Sequence, residues 1–250
     1  MDVIAPPAPE SGRSPQQLFP GLWLFAPNRD TQGGSAWFLE TENQALLIDC
    51  PALTQANLAF LEERRERSGW IVLTGRDGHG RCRRLQESLG WPVLVQEQEA
   101  YLLPGVENRM AFGAAHPIQD GLHLYWTPGP SPGAAVLHAR GGVAGSIDIL
   151  FCGHLLVPVA PGRLAPRPSP RCFHWPRQRR SVAALAGRLP PGSPVWLASG
   201  VSAGAAAGIG LVEDGARQLG EMAEACQAPE GIDWLPEEGG GSDCEGFLIR

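Results

Sequence analysis

The sequence predicts an α/β (α+β) domain built as a four-layer αββα sandwich. Two blocks of short strands, rich in branched and aromatic residues, are each followed by segments with helical periodicity. The first block opens with tight turns between strands and continues in the order strand, helix, strand, helix, strand. A sheet that is apolar on one face must bury that face, so we expect two sheets packed together with the helices outside.

The composition is that of one globular domain. The 250 residues are 43% hydrophobic, which is ample for a packed core, and 26 acidic against 20 basic residues give a net charge of -6. Because nucleic-acid binding needs a basic face, we expect no nucleic-acid partner. The first residues are rich in Pro, Ser and Gly, which predicts a flexible arm at 1–17, a folded domain at 18–235 and a tail at 236–250.

The cysteines and the apolar runs predict the compartment. The six cysteines are scattered and form no C-x-x-C pair, a pattern typical of reduced thiols. The N-terminus lacks the pattern of a signal peptide. No apolar run approaches the ~20 residues that a membrane span requires. We therefore expect a soluble, cytoplasmic protein with no membrane span.

The first block is expected to form an antiparallel meander followed by a βαβ arrangement. In its first helical segment Leu58 and Leu61 share one face, charged residues occupy the other, and Thr54 is a good N-cap. The predicted strands are 21–25, 35–39, 44–51, 70–74 and 93–95, and the predicted helices are 54–68, 80–89 and 96–102.

The second block returns to strands and ends in helices. Residues 104–119 are expected to be irregular, and 127–133 form a stiff turn rich in Pro and Gly. The proline-rich residues 157–170 are expected to run extended over the surface. The predicted strands are 121–126, 134–138, 146–151 and 194–198, and the predicted helices are 176–189 and 212–226.

An apolar strand at 70–74 runs into a glycine-rich loop that reads T-G-R-D-G-H-G at 74–80. The loop resembles the signature loop of the metallo-β-lactamase superfamily, in which active members read T-H-x-H-x-D-H. In those members the imidazoles and the carboxylate hold one or two metal ions. A match without gaps places at these four positions Gly75, Asp77, His79 and Gly80.

Further stretches resemble landmarks of the same family, in the expected order. Residues 33–39 with 47–51 are similar to its opening hairpin, and T-P-G-P-S-P-G-A at 127–134 resembles its T-P-G-H-T-P-G-S turn. L-F-C-G-H-L at 150–155 resembles L-F-x-G-D-x-L, and L-A-S-G at 197–200 lies where P-G-H-G closes the family's site. The resemblance covers roughly 18–200 and implies the metallo-β-lactamase fold.

The resemblance also implies a metal site, but most of its ligands are replaced. Active members hold zinc, or sometimes iron or manganese, so that a bound water ionises and attacks the substrate. Glycine and proline side chains offer no donor, and none of the positions keeps the family's residue type. We therefore expect no dinuclear centre and no bound cofactor. The seven liganding positions carry Gly75, Asp77, His79, Gly80, Pro130, His154 and Ser199.

Two functions remain open at this point. The first is a non-catalytic pseudo-hydrolase that acts as a binding or structural module. The second is a metal-dependent hydrolase in which Asp77, His79 and His154 hold one zinc, iron or manganese ion. Against the second, Asp77 and His79 also fit roles in a loop and a helix cap, since an Asp before a helix accepts its free N–H groups.

The start of the predicted helix at 80–89 is a candidate anion site. Glycines before it leave backbone N–H groups exposed at the positive end of the helix dipole, and arginines surround that end. The partner implied is a small anionic ligand or an acidic segment of a protein. The alternative is that Asp77 caps the helix itself. The candidate cleft or anion-binding residues are Asp49, Gly75, Arg76, Arg81, Trp126, Pro130 and Ser199.

Overall fold

The computed structural model describes residues 11–141, 147–202 and 210–227. Most of the predicted N-terminal arm, at 1–10, and the predicted tail at 236–250 lie outside the described residues. The first strand begins at Gln16, two residues before the predicted start of the folded domain. None of the helices in these ranges has the length and the apolar character that crossing a membrane requires.

The described chain alternates between strands and helices in two halves. The strands are β1 (Gln16–Phe19), β2 (Leu22–Leu24), β3 (Trp37–Glu40), β4 (Ala45–Ile48), β5 (Gly69–Val72), β6 (Val93–Gln96), β7 (Arg109–Phe112), β8 (Ala115–Gln119), β9 (Leu122–Trp126), β10 (Ala135–Arg140), β11 (Asp148–Gly153), β12 (Val157–Ala160), β13 (Arg163–Ala165), β14 (Trp196–Ser199) and β15 (Leu211–Val212). The helices are α1 (Gln55–Glu62), α2 (Cys82–Leu89), α3 (Trp175–Ala186) and α4 (Gly215–Gln227), with 3₁₀ turns at Arg76–Gly78 and Ala100–Leu102.

Two sheets lie face to face, and two helices cover the outer face of each. The first sheet has the order β1-β2-β3-β4-β5-β6-β7, and the second has the order β15-β14-β11-β10-β9-β8. One apolar core lies between the sheets, a second between the first sheet and α1 and α2, and a third between the second sheet and α3 and α4. The predicted four-layer αββα sandwich is therefore confirmed.

The pairing within the first sheet follows the lengths of its connections. Strands β2, β3 and β4 are antiparallel, whereas β4, β5 and β6 are parallel. Parallel neighbours need a long crossover, and α1 and α2 supply the two crossovers here. The predicted meander and the βαβ arrangement are both present, and they place the ends of β4 and β5 at the same edge of the sheet.

Alternation along the strands divides the apolar side chains between the cores. On β4, Leu46 belongs to the core between the sheets and Leu47 to the core under α1 and α2, as the two-residue period of a strand requires. Trp37 links the sheets, because its ring lies 5.9 Å from that of Phe151 and its indole N–H donates to the Ser199 carbonyl oxygen at 3.0 Å. Packing between the sheets thus fixes the strand ends that surround the site.

The prediction that residues 104–119 are irregular is wrong, because they contain β7 and β8. Each of these strands is at the edge of its sheet. Three of the four residues of β7 are exposed, so the strand lacks an alternating apolar pattern. Pro117 lies within β8, a position that an edge strand tolerates because one side needs no ladder hydrogen bond.

Other boundaries also differ from the prediction, among them the end of α1, which is Glu62 instead of residue 68. Residues 157–170 contain the antiparallel hairpin of β12 and β13 rather than a purely extended chain. Helix α2 begins at Cys82 instead of residue 80, because Gly80 has φ +42° and a left-handed residue cannot continue into a right-handed helix. The predicted helix at 96–102 is only a 3₁₀ turn, and Gln96 is the last residue of β6.

Candidate functional site

The predicted site residues follow strand ends that meet at one edge of the sandwich. In the first sheet, Asp49 follows β4 and Thr74 follows β5, and these strands are parallel. In the second sheet, Gly153 ends β11 and Ser199 ends β14, which are also parallel. A Cβ on Gly153 would overlap Oγ1 of Thr74, so the two sheets touch at this edge. The fold thereby brings the carboxyl ends of four strands together.

Asp49 is buried at the centre of this edge. Its carboxylate accepts hydrogen bonds from the backbone N–H of Thr74 at 2.8 Å and from the Thr74 hydroxyl at 2.6 Å. Burial raises the pKa of Asp49 to about 6, although both bonds from Thr74 lower it. With φ +59°, Asp49 lies in the left-handed region, which Asp tolerates better than most residues. Thr74 donates to both of its oxygens, so Asp49 stabilises the loop after β5 and does not face an open site.

Asp77 belongs to the 3₁₀ turn Arg76–Gly78. Its Oδ1 accepts a hydrogen bond from Gln32 Nε2 at 3.2 Å, and its Oδ2 lies 3.7 Å from Nδ1 of His154. The N-cap of α2 is Arg81, and no side chain caps it. The prediction that Asp77 caps this helix is therefore wrong. The structure instead brings Asp77 and His154, two candidate metal ligands, next to each other.

His79 faces the buried carboxylate of Glu99. Its Nε2 is 4.0 Å from Oε2 of Glu99, and neither atom has a hydrogen-bond partner among the described residues. The other oxygen of Glu99 accepts from the Gly133 N–H at 2.9 Å. Burial lowers the pKa of His79 to about 4, although the carboxylate of Asp77 raises it. His79 is thus a neutral, buried imidazole at physiological pH.

The glycine at the family's first histidine position makes room for this arrangement. A Cβ on Gly75 would lie 3.2 Å from Ser131 Oγ and 3.9 Å from Glu99 Oε2. The turn residue Ser131 and the buried Glu99 therefore occupy the space in front of Gly75. An added Cβ at residue 75 would require Ser131 to move by a few tenths of an ångström, whereas Glu99 would stay in ordinary van der Waals contact.

The remaining candidates are held by internal contacts. Ser199 Oγ donates to the Leu156 carbonyl oxygen at 2.8 Å. Trp126 donates its indole N–H to the Pro132 carbonyl oxygen at 2.8 Å, and the carbonyl oxygen of Pro130 accepts from the Phe173 N–H at 3.1 Å. These three predicted site residues help to build the turn and the strand end.

The side chains at the seven liganding positions do not fit the family's dinuclear metal centre. Within the described ranges, no three His, Cys, Asp or Glu side chains lie close enough together to hold a metal ion. The donors that remain are divided, since Asp77 pairs with His154 while His79 faces Glu99. At residue 78 a Cβ would overlap the Asp49 carboxylate, so the loop has no space for a further donor there.

An open cleft of about 540 Å³ lies beside Asp77. It is lined by Gln32, Arg76, Asp77, Pro170 and Arg171. Burial lowers the pKa of the neighbouring His154, against the carboxylate of Asp77, which raises it. The cleft therefore has two cationic side chains beside one carboxylate.

Arg81, which the sequence places among the candidate anion-binding residues, takes no part in the cleft. Its Nε lies 2.8 Å from Oδ2 of Asp30, an ion pair at the protein surface. Sequence reasoning also missed Gln32, Glu99 and Arg171. Glu99 follows a buried strand, which is a usable signal for a site residue, but Gln32 and Arg171 lie in a turn and a proline-rich segment without any motif.

Comparisons with solved structures identify the fold. VMB-1 superposes with a TM-score of 0.63 at 14% identity, covering 86% of this chain and 97% of that one. A metallo-β-lactamase superfamily protein from the archaeon Sulfolobus tokodaii gives 0.57 at 16% identity over 88% and 91% of the two chains. A B3 metallo-β-lactamase with an active-site glutamic acid gives 0.59 at 18% identity over 88% and 89%. The chain has the metallo-β-lactamase fold.

The sequence comparisons add nothing to this result. No protein-family model matches the chain, and no curated protein matches it. The similarity therefore concerns the backbone. The three structures share only 14% to 18% identity with this chain, so the chemistry of the site depends on this chain's own residues.

Proposed function

We propose that this metallo-β-lactamase-fold protein is a pseudo-hydrolase that binds a ligand or a partner without turning it over. The observation that supports the proposal most is the division of the remaining donors. Asp49 is bonded to Thr74, Asp77 contacts Gln32 and His154, and Ser199 is bonded to Leu156. Side chains engaged in this way do not converge on one point.

Metal-assisted hydrolysis needs a different arrangement. A catalytic zinc site uses three protein ligands and keeps a fourth position open for water or substrate. The family's residues would supply them from the signature loop, the turn and the two strand ends. At those places this chain has glycines at 75 and 80, a proline at 130 and a serine at 199. Several side-chain donors are absent, and the donors that remain are paired with other residues. Both facts favour binding over catalysis.

The proposed binding region is the cleft beside Asp77. A depression of this size at a strand-end edge is where the fold places ligands, and its arginines suit an anion. The occupant is a small anionic ligand or an acidic segment of a protein partner. A cytoplasmic location is part of the proposal, supported by free thiols at all five cysteines of the described chain.

Metal content and hydrolysis test the proposal together. We expect the dialysed protein to hold much less than one equivalent of zinc, iron or manganese per chain. We also expect no hydrolysis of thioester, lactam or phosphodiester substrates above background, with or without added zinc. The measurements are elemental analysis and continuous rate assays.

A second candidate function is that of a hydrolase with one metal ion. The contact between Asp77 and His154 favours it, because both side chains can bind a metal. About one equivalent of metal that is lost in His154→Ala, together with a metal-dependent rate that is lost with it, would establish that function and refute ours. His116→Ala is the matched control, because this partly exposed histidine lies on the edge strand β8. A rate that persists equally in both variants would indicate a contaminating enzyme.

A further inference from the structure

We propose that the cleft beside Asp77 binds the phosphate group of a small phosphate monoester whose organic part carries hydroxyl groups. The inference rests on the proposed function, because it takes the cleft as a binding site and not as a metal site. It goes further by moving the anion site away from the start of α2 and by naming the chemical class of the ligand.

Two arginines reach the cleft from different parts of the fold. Arg76 lies in the 3₁₀ turn after β5, and Arg171 lies on the segment between β13 and α3. Within the described part of the chain, no hydrogen bond or ion pair engages either guanidinium group. Arg81 differs, since Asp30 already holds it. Two guanidinium groups without partners at one cleft offer paired N–H donors to an oxyanion.

The charges in the cleft favour a doubly charged anion. Arg76 and Arg171 contribute two positive charges, and Asp77 contributes one negative charge. The net charge of the cleft is then positive. A phosphate monoester, with a charge of about -1.5 to -2 at pH 7, is attracted more strongly than a single carboxylate.

The lining also indicates what the phosphate is attached to. Gln32 and Asp77 are polar, Pro170 is the only apolar residue among the five, and the volume of about 540 Å³ exceeds what a bare phosphate needs. Asp77 retains acceptor capacity beyond its bond from Gln32, so it can accept from a ligand hydroxyl. A polyol phosphate suits these walls better than an acyl or aromatic phosphate.

Titration calorimetry at pH 7.5 with inorganic phosphate, glycerol 3-phosphate and glycerol tests the inference. We expect both phosphates to bind, glycerol 3-phosphate more tightly, and glycerol alone not to bind. Arg76→Gln and Arg171→Gln should each weaken phosphate binding by about tenfold, the usual effect of losing a charged hydrogen bond. Arg81→Gln is the matched control and should leave the affinity unchanged.

Asp77→Asn separates the roles of the two parts of the ligand. Removing the carboxylate should strengthen the binding of inorganic phosphate, because a nearby like charge is lost. It should also reduce the preference for glycerol 3-phosphate, because the amide is a poorer acceptor for a hydroxyl. Unchanged melting curves of the four variants establish that they remain folded.

Three outcomes would overturn the inference. They are no phosphate binding at millimolar concentration, equal losses in Arg81→Gln and Arg76→Gln, and binding of a glutamate-rich peptide in place of phosphate. These results would leave the pseudo-hydrolase proposal intact. Conversely, metal-dependent hydrolysis of glycerol 3-phosphate in the same samples would refute the pseudo-hydrolase proposal and retain the ligand class.

Discussion

Gly78→Ala is expected to destabilise the protein by about 3 kcal/mol, which is the upper part of the range for overpacking a core. A Cβ at residue 78 would overlap Oδ1 and Cγ of Asp49 and lie 3.0 Å from its Cβ. Asp49 cannot move aside cheaply, because the backbone and the hydroxyl of Thr74 hold both of its oxygens. The new methyl group must therefore displace the loop or break these bonds.

Urea unfolding with linear extrapolation measures this loss. Gly90→Ala is the control, because Gly90 has φ +70° but no atom lies within 4 Å of its added Cβ. That change should cost only the strain of a left-handed alanine, about 1 kcal/mol. If Gly78→Ala costs no more than Gly90→Ala, the loop is not packed against Asp49 as described.

Asp49→Asn is expected to stabilise the protein above pH 6 by about 3 kcal/mol. Burial raises the pKa of Asp49 from 3.8 to about 6, so ionising it in the folded state is unfavourable by about two pKa units. Asparagine carries no charge and adopts positive φ readily. Its oxygen can accept from the Thr74 N–H while its NH₂ donates to the Thr74 hydroxyl. The variant thus avoids the cost of the buried charge and retains both contacts.

The pH dependence of this gain follows from proton linkage. Between pH 4 and 6 folded Asp49 retains a proton that the unfolded chain has released, so the stability of the parent protein from this group falls as pH rises. The advantage of Asp49→Asn should therefore be near zero at pH 4, grow by about 1.4 kcal/mol per pH unit, and level off above pH 6.

The comparison must be made between variants at each pH, because His79 has the opposite dependence. Its pKa of about 4 in the folded state means that the unfolded chain binds a proton first as pH falls, which removes stability below pH 6.5. That contribution is common to both proteins and cancels in the difference. Asp214→Asn controls for the side chain, since Asp214 also has positive φ but is exposed. A difference that does not change from pH 4 to 7 would contradict the raised pKa.

Much of the fold could be predicted because its signals are local. The continuous apolar run of β4 and the helical period of α1 are written in consecutive residues, and so are many of the glycines and prolines between elements. The edge strands β7 and β8 were not predicted, because they lack such a local signal. Strand β7 is recognisable only once β6 lies beside it, since three of its four side chains face solvent.

The sequence by itself determined the fold class, and it excluded side-chain metal ligands at three of the matched positions, because glycine at 75 and 80 and proline at 130 have no side-chain donor atoms. Only the tertiary structure decided how the remaining polar groups pair. His154 meets Asp77, Glu99 faces His79, and Arg171 shares a cleft with Arg76. Each of these partners comes from a distant part of the chain, so no periodicity or spacing records the contact. Packing of the two sheets brings Nδ1 of His154 to 3.7 Å from Oδ2 of Asp77, a contact between two loops that belong to different sheets.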